Sequence, residues 1–352
     1  MRNYFPTKVL RSIVLFSVSL ALLVVGYAPS SFAAKGAKAS DSILATASTG
    51  GTYYPVGVAI STLVKLKLQP KHKIGMSAIS SAGSAENIKL LRENEAQYGI
   101  LQGLYGFWAW TGTGPLKGEG PQKELRAITM LWQNVEQFIV LSKYAKTGTI
   151  ADFVALKGKG MKVALGKKNS GTIGSNRALL SKLNVDLDKD YKLFYAGYGP
   201  SADALQNGQV VGINTPSGVP TGAITKAFAS MGNKITLLGL TPEQAKKADG
   251  GLELWTPFTI KAGDYPSLKK DVTTIAQPNI LVVRSDATEE SVYMITKTIY
   301  ENLPFLSGIH KATKAMSIDK AIVGIPMPLH PGAIRYYKEV GIKVPAKLIP
   351  KK

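Results

Sequence analysis

The stretch Ile43-Leu44-Ala45-Thr46-Ala47-Ser48-Thr49-Gly50-Gly51-Thr52-Tyr53-Tyr54-Pro55 decides the fold. Its first five residues form a short β-rich run, and residues 48–54 are small, polar or turn-forming. Pro55 sits where the first turn of a helix tolerates it. Val56, Ile60, Leu63 and Val64 then recur at helical spacing and define one apolar face. Strand, glycine-rich loop and amphipathic helix in this order open an α/β unit, because parallel strands need a helix to cross between them.

The same order repeats outward. Residues 73–80 read as a strand, 84–93 as a helix burying Ala85, Ile88 and Leu91, and 98–102 as a third strand. The Gly- and Pro-rich residues 112–121 carry no periodicity and read as a surface loop. Residues 125–131 and 137–141 are β-like, and the second of these is expected to cross between two lobes. A further set follows: strand 162–165, helix 172–183, strand 192–195, helix 201–207, strand 209–213, helix 221–229 and strand 235–238. Residues 272–284 are expected to be the return crossing, ahead of a helix over 289–303. Two α/β halves joined by two crossings predict a hinged clamshell. One lobe is residues 34–140 with 273–352, and the other is 141–272.

Composition narrows the function classes. Arg2, Lys8 and Arg11 precede an apolar run over 13–25, and Ser31 and Ala33 supply the small residues of a cleavage site. This is the order of a secretory signal peptide over residues 1–33, so the chain is expected to be exported to the periplasm. No cysteine is present, which excludes disulfides, thiolate catalysis, cysteine-built zinc sites and a lipid-anchored cysteine terminus. The net charge of +20 becomes about +17 without the leader's three basic residues. Export and the even spread of these charges argue against a nucleic-acid partner and for a solvated basic surface, the alternative being attraction toward anionic ligands, an anionic membrane surface or an acidic transporter face. Without a coiled-coil or repeat pattern, a monomer is expected.

Three strand–loop–helix junctions carry the candidate site. The first supplies Thr49, Gly50, Gly51, Tyr53 and Tyr54; the second Ser81, Gly83 and Ser84; the third Asn169, Ser170, Gly171 and Thr172. A first helical turn offers unpaired N–H groups and partial positive charge, and glycine lets a ligand approach the backbone. Any one of these loops is also an ordinary helix cap. Three in the same position point to one crevice, since parallel strands aim their C-terminal ends at the ligand. Gln102, at a strand end, is a further candidate for a ligand amide or carboxylate. His72, His310 and His330 stand apart from one another and from paired acids, so no metal is expected, and no cofactor motif is present. Neither a Gly-x-Ser-x-Gly elbow nor a paired base appears, so a binding protein is favoured over an exported hydrolase.

The run 46–57 resembles the opening of the TAXI-type solute receptors of TRAP transporters. So do Ser81-Ala-Gly-Ser-Ala-Glu-Asn-Ile-Lys-Leu-Leu91, Gly112-Thr-Gly-Pro115, residues 202–209, residues 300–303 and residues 328–341. The resemblance implies a periplasmic receptor of the type II binding-protein fold that delivers glutamate-like amino acids or dicarboxylates such as 2-oxoglutarate to an ion-driven membrane carrier. It maps the first-loop ligand positions onto Thr49, Gly50, Gly51, Tyr53 and Tyr54, and the second-lobe element onto Ser170 to Thr172. Ser217 and Gly218 are expected to close over the ligand from the second lobe. The chain departs from the family's pattern at Asn169, where a glycine is usual, and at Gly218-Val219-Pro220, where Gly-His-Pro is usual. A sensor subunit presenting ligand to a receptor kinase would share all these features.

Overall fold

The computed structural model describes residues 40–351. The predicted signal peptide lies outside them. Strand β1 (Ser40–Ala45) leads through the glycine loop into α1 (Tyr53–His72), whose buried face includes Val56, Ile60, Leu63 and Val64. Then come β2 (Ile74–Ile79), α2 (Ser84–Arg92), β3 (Tyr98–Gln102) and α3 (Gly103–Thr111). β1 pairs in parallel with both β2 and β3, with Leu44 opposite Ala78 and Tyr98. The C-terminal ends of all three strands therefore lie at one edge of the sheet, where α1, α2 and α3 begin.

The long strand β4 (Leu125–Val135) belongs to this first sheet, and after two residues β5 (Phe138–Leu141) belongs to a second one. The second sheet takes in α4 (Ile150–Val154), β6 (Lys162–Ala164), α5 (Gly171–Lys182), α6 (Leu187–Asp190) and β7 (Lys192–Leu193). It continues with α7 (Tyr198–Gln206), β8 (Gly212–Asn214), α8 (Gly222–Met231) and β9 (Ile235–Leu237). Its strand order is β7-β6-β8-β5-β9, with β6 parallel to its neighbours and β5 antiparallel to its own. The chain then passes through α9 (Pro242–Asp249) to β10 (Thr256–Ile260) and β11 (Val272–Arg284). It ends with α10 (Glu289–Glu301), α11 (Leu303–Ile309) and α12 (Pro331–Glu339). The first sheet runs β10-β11-β3-β1-β2, with β4 also paired to β11. No helix among the described residues is long and apolar enough to cross a membrane.

Three expectations are corrected. Residues 272–284 are not the return crossing: β11 pairs along its length with β10, β3 and β4 inside the first sheet. A β-rich run marks a strand buried on both faces as readily as a crossing, and all ten residues from Thr274 to Val283 are buried, Gln277 and Asn279 included. Leu240 N–H donates to Thr273 C=O at the joint, but α9 still packs on α5, with Gln244 Nε2 donating to Thr149 Oγ1 at 3.2 Å, so the chain returns between α9 and β10. Residues 256–260, grouped by sequence with the second lobe, add an edge strand to the first sheet. Pro257 is tolerated there because an edge residue need not donate outward. The first crossing narrows to Glu136 and Gln137, since Phe138 onward is already paired in the second sheet.

Candidate functional site

Five helices start at one cavity between the two sheets. From the first lobe come α1 (Gly51, Thr52, Tyr53), α2 (Gly83, Ser84) and α3, preceded by Gln102. From the second come α5 (Ser170, Gly171, Thr172) and α7 (Gly197, Tyr198). No side chain caps α1, α2, α3 or α7 at its N-cap residue, whereas Ser170 Oγ accepts from Ile173 N–H at 3.1 Å and caps α5. Leu104 N–H of α3 donates to Gln277 Oε1 at 2.8 Å, but the helix N-termini of both lobes are concentrated in one place, each adding about half a positive charge.

The first junction is tightened by Gly51 N–H donating to Ser48 C=O at 3.1 Å. The second is built by side chains: Ser81 Oγ donates to Thr46 C=O at 3.0 Å and accepts from Gly83 N–H at 2.9 Å. Asn87 holds the carbonyls of Thr46 and Ile100 at 2.7 and 2.9 Å, which ties α2 to the ends of β1 and β3. Gly83 has a φ of 106°, a conformation that favours glycine. In the second lobe Tyr198 Oη donates to Pro216 C=O at 2.7 Å and lies 2.8 Å from Thr172 Oγ1. Tyr53 Oη donates to Asn279 Oδ1 at 2.5 Å, and its ring stands edge-on to Trp132 at 6.0 Å. Burial raises the pKa of both tyrosines, so both are neutral phenols at physiological pH.

Among the described residues, Lys167 is the one formally charged residue lining the cavity, and no carboxylate lines it. Gln102 is 3% exposed, and its Oε1 has no protein partner. Its Nε2 faces Ser175 Oγ at 3.5 Å, and that hydroxyl donates to Thr172 C=O, which leaves the Gln102 oxygen as the free acceptor. The cavity is tight: about 30 Å³ is open to the centre of a water molecule, where one water needs roughly 10–15 Å³. The lobes are in contact around it. Gly50 C=O accepts from Ala223 N–H at 3.2 Å, and a Cβ on Gly171 would fall 2.7 Å from the Cβ of Ser84.

Of the residues singled out by sequence, Gly51, Tyr53, Gly83, Ser84, Gln102, Ser170, Gly171, Thr172 and Ser217 come together here. Thr49, Gly50, Tyr54, Ser81, Asn169 and Gly218 do not face the cavity. Gly50 joins the lobes through its backbone, Ser81 is occupied in shaping the α2 start, and Asn169 lies on a neighbouring charged groove with Lys168 and Arg177. Gly218 C=O accepts from Thr221 Oγ1 at 2.8 Å, which places it in the loop before α8. The sequence reading missed Ser48, Thr52, Lys167, Gly197 and Tyr198. Starting the helix at Ser201 hid a further strand–loop–helix junction, because α7 begins at Tyr198. Lys167 stands two residues before Asn169 in the same loop, and its signal was its place beside the α5 cap.

Residues 44–341 match the NMT1-like family. Among solved structures, one from Bordetella bronchiseptica RB50 covers 89% of this chain and 86% of its own at 15% identity, with a TM-score of 0.51. A binding-protein component of an ABC phosphonate transporter from Pseudomonas aeruginosa covers 80% of each chain at 10% identity, with a TM-score of 0.50. The alkanesulfonate-binding protein SsuA from Xanthomonas axonopodis pv. citri, bound to MOPS, covers 85% of this chain and 90% of its own at 12% identity and a TM-score of 0.45. The first two of these likenesses establish the two-lobed α/β clamshell fold of binding proteins. They also correct the resemblance drawn above: the family is the NMT1-like one, not the TAXI receptors of TRAP carriers. Part of what suggested it, the Gly, Ser, Thr and Pro of residues 46–57 and 81–84, sits at strand–helix junctions, where this geometry favours such residues in any such clamshell.

Proposed function

For a chain that belongs to the NMT1-like family and has the fold of transporter binding proteins, we propose a solute-binding receptor. It closes its two lobes over a small organic anion and delivers it to a membrane importer. The observation that carries this reading is the convergence of five helix N-termini from both lobes, with Lys167 and no acid, on one cavity. Anionic oxygens are held by the N–H groups and hydroxyls of Ser84, Ser170 and Thr172, while Tyr53 and Tyr198 form the walls. The free Gln102 oxygen, an acceptor amid donors, favours an anion that also carries an O–H or N–H. A small hydroxy- or amino-carboxylate meets both demands. The leader reading over residues 1–33 places this work in the periplasm.

The test is a thermal-shift panel of acetate, glycolate, nitrate, methanesulfonate and methylphosphonate, with a neutral sugar and a cationic amino acid as controls. Ligand at about 100 times its Kd adds roughly 2.7 kcal/mol, a shift of several degrees for a chain of this size. Selective shifts from anions, larger for glycolate than for acetate, support the reading. Shifts from the sugar or the cation alone overturn it.

A further inference from the structure

Glu136 is a carboxyl group that the proposed cavity does not use, and its position is unusual. It is 1% exposed and sits in the two-residue joint through which β4 of the first sheet becomes β5 of the second. Its main chain is fixed to the first lobe: the N–H donates to Ile275 C=O at 2.9 Å, and the C=O accepts from Thr274 Oγ1 at 2.9 Å. Its side chain spans both lobes. Oε2 accepts from Asn214 Nδ2 of β8 at 2.7 Å, and Oε1 faces Trp255 Nε1, just before β10, at 3.4 Å. Asn214 also donates to Asn176 Oδ1 on α5 at 2.7 Å, and Asn176 donates to Thr172 C=O at 3.0 Å, beside the cavity. An unbroken hydrogen-bonded path therefore leads from the hinge carboxyl to the helix that closes the site.

Among the described residues no cation compensates this carboxyl. Around it α5 presents Asn176, β8 Asn214, β11 Thr274, the segment before β10 Trp255, and the joint itself Gln137. The titratable group near enough to act on it is Tyr198 of α7, a neutral phenol. Among the described residues no lysine, arginine or histidine pairs with Glu136, Lys167 included. An unpaired buried carboxylate is costly, and protonation relieves that cost.

We infer that Glu136 is a positioning residue that couples lobe closure to the uptake of one proton: neutral when the lobes are shut, ionised when they part. This rests on the proposed opening and closing of the cleft. In the closed form burial holds the Glu136 pKa near 7, against the partial relief from Asn214 and Trp255, whereas water reaching an open hinge returns it toward the ordinary carboxylate value. The sign follows. At pH below the open-state value the group is protonated in both forms and closure carries no penalty. As pH rises toward about 7 the closed form loses ground, and above that the loss is constant. The ceiling on the effect is roughly 300-fold in affinity across that window.

The experiment compares one carboxyl in two states of the hinge. A Cβ on Gly197 would lie 3.3 Å from the Cβ of Ser48 across the cleft, near disulfide geometry, and the chain has no cysteine of its own. In S48C/G197C, glutamate labelled with carbon-13 at the carboxyl is titrated by NMR, oxidised and then reduced, with E136Q identifying the signal. A Glu136 pKa at least one unit higher in the oxidised, shut form supports the inference, and equal values in both forms overturn it. Should the cysteines fail to join, the pH profile of the methanesulfonate Kd is read instead, because that anion does not titrate from pH 4.5 to 8. Weakening of tenfold or more with rising pH in the wild type, flattened in E136Q, supports the inference. A profile shared by both proteins, or flat in the wild type, overturns it. Failure of every anion to bind at any pH overturns the receptor reading itself, a result separate from an unmoved carboxyl.

Discussion

Gly171→Ala should block the shut cleft without harming either lobe. Gly171 opens α5 with an ordinary φ, so alanine is no strain on its backbone and a small gain in the helix. Its missing Cβ matters because of what stands opposite. The added carbon would lie 2.7 Å from Ser84 Cβ, 2.8 Å from Ser84 Oγ and 3.1 Å from Ser84 N, all at the start of α2 in the other lobe. Ordinary contact needs about 3.5–4.0 Å, so the two helix tips must part by about 1 Å. Ser84 has little room to yield, since its Oγ accepts from Gln102 N–H at 3.0 Å. Overpacking of this kind costs about 1–3 kcal/mol, or roughly 5- to 150-fold in the affinity of a ligand that needs the closed form. The assay is calorimetric titration with the strongest anion of the panel, beside thermal unfolding of the free protein. We expect weaker binding with a free-protein Tm within a degree or two of wild type. Unchanged affinity would refute the closed-cleft argument, and a Tm lowered by many degrees would show that the contact belongs to a fixed core.

Three further outcomes follow from particular contacts. Lys167→Ala should weaken anion binding about 3- to 10-fold and flatten its dependence on added salt, because an exposed cation at the cavity is screened by ions; the readout is Kd at two ionic strengths. Tyr337→Phe removes a buried hydroxyl that donates to Ile128 C=O at 2.8 Å and should lower stability by about 1–2 kcal/mol in denaturant unfolding, with binding untouched. Asp249 is partly buried, which pushes its pKa up, but the N–H groups of Trp255, Leu254, Glu253 and Gly251 outweigh this and hold it below the usual carboxylate range. Its contribution is therefore present above about pH 4 and is lost as pH falls through the lowered value. Asp249→Asn should reduce stability at pH 7 and shrink the difference in Tm between wild type and variant toward pH 2.

The junctions that the sequence exposed are those where local rules and function coincide. The loop before α1 and Ser170 to Thr172 announce a strand end, a turn and a helix start by residue type alone, so the place of Gly51, Tyr53, Ser170, Gly171 and Thr172 at the cleft was legible. What stayed hidden depends on partners remote in the chain. Residues 103–111 carry no element in the sequence reading, yet α3 spans them and buries Tyr105 and Trp108, the latter edge-on to Tyr105 at 5.0 Å. Nothing local shows that helix, because Gly103 and Gly106 within it weaken its propensity, and tertiary packing supplies the rest. β10 escaped for a similar reason: Thr-Pro-Phe-Thr-Ile carries a proline that argues against a strand until the strand is known to be an edge.

Glycine marks the deeper limit. Gly83 is glycine because its φ is positive, a demand made within its own loop and readable from the turn it occupies. Gly50 and Gly171 have no such demand; each is glycine because a backbone from the other lobe comes close, Gly199 N within 2.8 Å of the Cβ that Gly50 lacks and Ser84 against Gly171. In the sequence the two kinds look alike, and both were read as turns that admit a ligand. Their difference separates a loop that binds from a surface that shuts. If the shut form is set by bare backbones meeting across the cleft, side chains added there should act on closure, while substitutions at Ser84 or Thr172 act on the ligand. The two classes are told apart by the free protein. G171A shifts its radius of gyration toward the open form before any ligand is added, and Thr172→Val leaves the radius alone while weakening binding.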